Sequence, residues 1–301
     1  MNIAYIILAH KNPSQIKRLI EKLTYSNDWF FVHIDAKKEM TSFENALSSE
    51  KNVTFIKERI NGQWGAFGIV EATINALKAI SKSSENFERI VLLSGQDYPI
   101  KSTELIHSFF EGNKNKNFIE FDAFPVKKLT YGGLHRIHHY SYSLLNKRLT
   151  YLPKHCTENL NFKGKFVNAI LKKMHTFSKK RELPYFLKAY YGSQWWSMTE
   201  KTSLSVLSYL NSHPKYVQYH KRSLSPDEMF FQTLLLNMNS SDVNENDNKR
   251  LILWEKGSSH PVNIDDRHFA ILKESDCLFA RKFEKDSNIL DRIDKEILNH
   301  S

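Results

Sequence analysis

Cysteine is nearly absent from this chain. Its two residues, Cys156 and Cys277, stand far apart and in no CxxC or Cys/His arrangement. That argues against a disulfide framework and a structural zinc, and makes reduced, buried thiols the expectation. Long apolar runs are also missing. The run that opens the chain, Ile3 to Ala9, is too short to span a bilayer and carries neither a basic leader nor a small-residue cleavage site. It reads as a buried strand, with the fold starting at residue 1. No GxGxxG follows it, because the turn reads His10-Lys11-Asn12, and GxxxxGK[ST], GxSxG and HExxH are absent. A dinucleotide-binding domain, a P-loop NTPase, a serine hydrolase of the elbow type and a zincin are all disfavoured. Nor is there a DxD triplet to carry a divalent cation; Glu120-Phe121-Asp122 is the nearest imitation.

What is present begins with charge. The 301 residues, enough for one large domain or two halves sharing a core, carry a net charge of +10. Fourteen Lys/Arg fall between Lys127 and Lys188 against two acids, Glu158 and Glu182, a local +12 that leaves the rest at −2. A focused positive field invites an anionic partner such as nucleic acid, an acidic membrane or phosphate groups, although on charge alone a solvated basic face is the simpler reading.

The first half alternates strand and helix. Ile3–Ala9, Trp29–Ile34, Val53–Ile56, Arg89–Leu93 and Phe118–Glu120 read as strands. Asn12-Pro13 predicts an N-cap followed by a helix with Ile16, Leu19, Ile20 and Leu23 on one face. Further helices are expected near Phe43–Leu47, over Ile69–Ile80 and from Ser102 to Phe110. Short apolar strands alternating with helices predict an α/β fold, a mostly parallel sheet with helices on both faces. Such sheets bind ligands beyond the carboxyl ends of their strands, where His10, Asp35 and Ser94-Gly95-Gln96-Asp97 fall. In the less regular second half, a short strand is expected around Ser193–Met198, a helix over Pro226–Leu236, a loop over 237–248, a strand over Leu251–Trp254 and a last helix over Ile289–Leu298.

Three constellations admit chemistry. Ser225-Pro226-Asp227-Glu228 has the spacing of a capping box; the same spacing puts Glu228 at a helix start, where an ionised carboxylate can serve as a general base. Arg281 and Lys282 lie in an apolar frame, Leu278 to Phe283, which is either a strand with one charged edge or an anion clamp. Tyr190-Tyr191-Gly192-Ser193-Gln194-Trp195-Trp196 and Trp254 suit a core or a platform for sugar rings.

Taken in order, Val32-His33-Ile34-Asp35, Trp64-Gly65, Leu93-Ser94-Gly95-Gln96-Asp97-Tyr98-Pro99-Ile100, Gly192-Ser193-Gln194-Trp195-Trp196, Ser225 to Thr233 and Leu278 to Phe283 resemble the core-2/I-branching enzyme family. That family includes β-1,6-N-acetylglucosaminyltransferases and peptide O-xylosyltransferases, and the resemblance runs from about residue 3 to 290. It implies a GT-A-type, Rossmann-like fold in a single large domain, with residues 1–125 as the nucleotide-binding half and 126–301 as the acceptor-binding and catalytic half. It also implies inverting transfer from a UDP-sugar with no metal or other cofactor, GlcNAc being favoured and xylose next. By position, Glu228 resembles the catalytic base and Lys282 with Arg281 the diphosphate clamp, His260 standing near where the family has an upstream arginine. Leu8, Ala9, His10, Asp35, Trp64, Gln96 and Asp97 fall at the nucleotide-binding edge. Glu120, Arg136, Trp195 and Trp254 fall where acceptor contacts are expected. Animal members carry a membrane anchor and several disulfides, whereas these 301 residues show no apolar run of spanning length and have two cysteines. The expectation is therefore a cytoplasmic, bacterial-type enzyme of surface-polysaccharide synthesis, peripheral at the inner face of the membrane. Its acceptor would be a glycan or lipid-diphosphate-linked glycan, the 127–188 segment would meet an acidic membrane, and nucleic acid would not be a partner. The competing expectations are a non-catalytic module for anionic polymer or nucleic acid, whose affinity would fall steeply with salt, and a nucleotide-sugar hydrolase.

Overall fold

Apolar runs without alternation become the middle of a seven-stranded sheet. The computed structural model describes residues 1–144, 147–153, 157, 160–177, 181–184, 187–255, 257–258, 260–285 and 287–299. Cys156 and Glu158 lie outside them, while Cys277 is a half-buried free thiol. The strands are β1 Ile3–Ala9, β2 Trp29–Ile34, β3 Val53–Phe55, β4 Arg89–Ser94, β5 Asp97–Pro99, β6 Lys116–Ile119, β7 Asp122–Ala123, β8 Ser141–Leu144, β9 Lys147–Thr150, β10 Tyr190–Tyr191, β11 Trp196–Thr199, β12 Val243–Glu245, β13 Arg250–Ile252 and β14 Phe279–Arg281. The helices are α1 Pro13–Leu23, α2 Thr41–Ala46, α3 Gly68–Ile80, α4 Thr103–Glu111, α5 His135–His138, α6 Phe162–Phe177, α7 Glu200–Ser212, α8 Pro214–Lys221, α9 Phe230–Asn237, α10 Phe269–Glu274 and α11 Asn288–Ile293.

The large sheet runs β12-β6-β11-β4-β1-β2-β3. Its pairings are parallel except that β11 lies antiparallel between β4 and β6. This is the α/β, GT-A-type arrangement that the family resemblance implied. Both faces of β1 are covered, as its nearly unbroken burial requires. Ile3, Tyr5 and Ile7 pack with Ile16, Leu19 and Leu23 of α1 and Leu290 and Ile293 of α11. Ala4 and Ile6 turn to the other face, with Val70, Ile74 and Leu77 of α3 and Phe230 and Leu234 of α9. Since β11 and β12 come from the second half of the chain, both halves contribute to this sheet.

Several local expectations need correction. Asn12 does not cap α1: it is left-handed (φ 56°), and its side-chain amide donates to Gln15 instead. Ser225 does not close a capping box either. It too is left-handed (φ 46°), and its N–H goes to the Gly65 carbonyl. Pro226–Glu228 is a separate 3-10 turn, and α9 begins only at Phe230, beyond a non-helical Met229 (φ −149°, ψ −16°). Ser102 does cap α4, accepting from the Leu105 N–H at 3.4 Å. The expected 237–248 loop contains β12, and the late strand stops at Ile252, leaving Trp254 outside it. The three-stranded sheet β13-β14-β5 sets Arg281 directly opposite Asp97.

Candidate active site

Three strand ends are laced together where a ligand would approach. The Asp35 N–H donates to the Ala9 carbonyl at 2.8 Å, and the Gly95 N–H to the Leu8 carbonyl at 3.0 Å. Asp35 Oδ1 accepts from the Lys37 N–H and Oδ2 from the Gly62 N–H, at 2.8 and 2.9 Å. A Cβ on Gly62 would stand 3.1 Å from Oδ2, so glycine permits this approach. His10 projects from the end of β1. Partial burial, then the Lys11 charge, lowers its pKa, and Asp35 and Lys282 also act on it.

Lys282 belongs to the same neighbourhood. Burial lowers the pKa of its ammonium, Glu284 opposes this, and Lys11 and Arg281 add to the lowering. Glu284 is committed to Lys11 (2.8 Å) and to the Gln96 amide (3.1 Å). Among the described residues no ion pair or hydrogen bond takes Lys282 Nζ. It is a cation held at the strand ends by its backbone, whose carbonyl accepts from the Ile264 N–H at 2.8 Å.

Arg281, its neighbour, is placed differently from the expected clamp. Its side chain is largely but not wholly buried, with Nε 3.4 Å from Asp97 Oδ1 and the guanidinium 4.2 Å over the Trp195 ring. Burial lowers its pKa. Asp97 has no exposed surface and accepts from the Ser94 N–H and hydroxyl at 2.7 and 3.1 Å. Gln96 is buried as well, its amide bridging to Phe283 and Glu284. Trp195 is buried beneath Arg281. Asp97, Gln96 and Trp195 therefore shape the β4–β5 turn from inside, and Arg281 is held against that turn by Asp97 and Trp195.

Glu228 is placed by backbone contacts rather than by a helix start. Its carbonyl accepts from the Gly192 N–H at 2.8 Å. Gly192 is obligatory, because a Cβ there would lie 1.8 Å from the Glu120 carbonyl oxygen. Since that obstacle is backbone, Gly192→Ala is expected to cost about 1–3 kcal/mol of stability and to displace Glu228. Urea denaturation checks this, and wild-type stability in the variant would contradict the geometry.

Around Glu228 lies a cluster that sequence reasoning found only in part. Arg136 Nη1 donates to Glu228 Oε2, and its guanidinium stands 5.3 Å over the Tyr191 ring. Lys128 reaches the same ring at 5.6 Å and pairs with Glu120 (3.5 Å) and Asp122 (3.3 Å). The nearest imitation of a metal-binding acidic triplet thus already shares an ammonium. Burial, then the Glu228 charge, pushes the Tyr191 phenol up to about 12. The same two causes, in the same order, raise Asp227, whose buried Oδ1 has no hydrogen-bond partner among the described residues. Lys128 was missed, and Tyr191 was read only within an aromatic run, not as a neighbour of Arg136 and Glu228. Their signals were the Tyr-Tyr-Gly ahead of Trp195 and the start of the basic run.

Next to this cluster opens a cavity of about 1200 Å³. Trp64, Lys128, Arg136, Arg148 and Lys163 contribute to its lining, with leucines that include Leu149 and Leu171; no Asp or Glu lines it among the described residues. His135 also faces it, its pKa pushed down to about 4 by burial and then by Arg136. Trp64, 67% exposed, belongs to this rim rather than to the His10–Asp35 edge. Its loop joins the two sides, since Gly62 holds Asp35 while Gly65 holds Ser225. Trp254 and His260 are exposed beyond β13, and no hydrogen bond or ring contact among the described residues ties either to Glu228 or Lys282. Among those residues, no group of three or more His, Cys, Asp or Glu side chains is placed to hold a metal ion.

The family model for the Core-2/I-Branching enzyme matches residues 3–276. Beta-glucuronosyltransferase GlcAT14B of Arabidopsis thaliana is 24% identical, over 99% of this chain and 67% of its own length. The probable beta-1,3-galactosyl-O-glycosyl-glycoprotein beta-1,6-N-acetylglucosaminyltransferase 7 of Homo sapiens is 24% identical, over 77% of this chain and 49% of its own. Xylosyltransferase 2 of Homo sapiens is 21% identical, over 96% and 32%. The chain therefore spans between about a third and two thirds of the length of these curated relatives. Among solved structures, the galactosyltransferase LgtC in complex with donor and acceptor sugar analogs has a TM-score of 0.46 and 11% identity, over 98% of this chain and 94% of LgtC.

Proposed function

The chain belongs to the core-2/I-branching enzyme family, and from that premise we propose that it is an inverting glycosyltransferase that moves a sugar from a UDP-sugar onto an acceptor hydroxyl. One observation carries the proposal: a carboxylate held by Arg136, which lines a basic cavity, and a lysine without an ion-pair or hydrogen-bond partner among the described residues at the ends of β1, β2 and β4. The two sides are joined through the segment from Gly192 to Trp195, on which Arg281 stacks. In the proposed step, Glu228 takes the proton of the acceptor hydroxyl as that oxygen attacks the anomeric carbon. The bond from that carbon to the UDP oxygen breaks, and its electron pair leaves on the diphosphate. Lys282 meets the new negative charge there, in the role a metal ion plays elsewhere. Arg136 holds Glu228 in place and offers its remaining N–H groups to the acceptor.

GlcNAc is proposed as the sugar ahead of xylose, with glucuronate brought into range by the relatives. The acceptor is proposed to be a glycan or lipid-diphosphate-linked glycan of surface-polysaccharide synthesis on the cytoplasmic side. In support, the cavity offers cations for phosphate and leucines for an apolar tail.

The test is a thermal-shift panel of UDP-GlcNAc, UDP-xylose and UDP-glucuronate, followed by turnover with and without EDTA. Stabilisation by at least one UDP-sugar, and turnover unchanged by EDTA, are expected. No stabilisation by any of them, or EDTA inactivation reversed by Mn²⁺, counts against the proposal. UDP release equally fast with and without acceptor would mark a hydrolase instead.

A further inference from the structure

Helix α6 carries an apolar row on the side turned away from the protein. Phe162 is 86% exposed, Phe166 62% and Ile170 47%, and Met174 continues the series. The spacing is every fourth residue, so at 3.6 residues per turn the row winds slowly round one flank of a helix about 24 Å long. No other helix among the described residues exposes more than one large apolar side chain. Lys165, Lys172 and Lys173 flank the row, Lys163 lines the cavity, and α6 contains no carboxylate. It lies within the 127–188 segment, where the local charge is +12. The opposite side of α6, through Gly164, Val167 and Leu171, lines the large cavity.

Two kinds of occupant could cover such a row. A protein interface excludes lysine from its core, whereas an interfacial membrane helix combines large apolar side chains on one flank with lysines at headgroup level. Charge complementarity decides between them. We propose that α6 seats the protein on an anionic bilayer, with Phe162, Phe166 and Ile170 at the acyl boundary and the lysines among acidic headgroups. This deepens the transferase reading, on which it rests for its purpose: the cavity behind α6 then opens beside the membrane that would deliver a lipid-linked acceptor.

The experiment is co-sedimentation of the full chain with phosphatidylcholine vesicles, with and without phosphatidylglycerol. Binding is expected only with phosphatidylglycerol, and it should weaken with salt. Phe162→Ser combined with Phe166→Ser should lower partitioning at least about tenfold. Lys165→Gln and Lys172→Gln should each lower it about fivefold, on anionic vesicles alone. All four side chains are exposed, so the fold should tolerate these changes. As a second readout, Phe162→Trp should blue-shift in fluorescence on anionic vesicles. Wild-type protein that ignores phosphatidylglycerol, or Phe variants that bind as well as wild type, would overturn the proposal. So would a wild-type dimer, seen by analytical ultracentrifugation, that the Phe variants dissociate. Stabilisation by UDP-sugars is read separately on the same variants and should be unchanged. Wild-type protein that UDP-sugars stabilise but that ignores anionic vesicles removes only the membrane seat, while wild-type protein that binds those vesicles but that no UDP-sugar stabilises removes only the transferase.

Discussion

Glu228→Gln is expected to lower sugar transfer by about 10²–10⁴-fold, the usual contribution of a positioned general base, while leaving stabilisation by UDP unchanged. Glutamine keeps the side-chain shape and an oxygen that can accept from Arg136, and it leaves the backbone carbonyl that accepts from the Gly192 N–H untouched, but it cannot accept the hydroxyl proton. Asp227 next door is the control. Burial and the Glu228 charge raise its pKa, so its carboxyl tends to hold its proton near neutrality. Asp227→Asn should therefore cost less than the ~10²-fold that marks a base. Initial rates and thermal shifts on both variants check this. Full activity in Glu228→Gln, or equal losses in the two variants, would remove the assignment.

Lys282→Ala is expected to weaken UDP about 10–100-fold, the range for losing a hydrogen bond to a charged group. Arg281→Ala should act differently. Its guanidinium is spent on Asp97 and Trp195, so its removal should lower stability through a buried, unpaired Asp97. Titration calorimetry with UDP, alongside urea denaturation, separates the two. UDP affinity unchanged in Lys282→Ala would show that the clamp lies elsewhere.

The parallel centre of the sheet was legible because burial on both faces leaves continuous apolar runs, as in Ile3–Ala9 and Arg89–Leu93. Strands of two or three residues, such as β5, β10 and β12, are too short to show any period. The α7 helix could have been read, since Thr199 caps it through the Thr202 N–H. At the site, Glu228 and Lys282 were visible as residue types in order. The burial of Arg281, Asp97 and Trp195 was not, because it depends on β14 pairing antiparallel with β5, contacts more than 180 residues apart. The Arg136–Glu228 pair joins positions 92 apart, a separation that no local pattern reports. The 3-10 turn at Pro226 was hidden by a capping-box spacing that the Ser225–Gly65 hydrogen bond overrides.

The most direct measurement is a crystal structure of Glu228→Gln soaked with the UDP-sugar that stabilises the protein most. The diphosphate is expected against Lys282 at the ends of β1, β2 and β4, with the anomeric carbon turned toward residue 228 across the Gly192–Trp195 segment. A nucleotide bound elsewhere, or a sugar whose anomeric carbon faces away from that side chain, would contradict it.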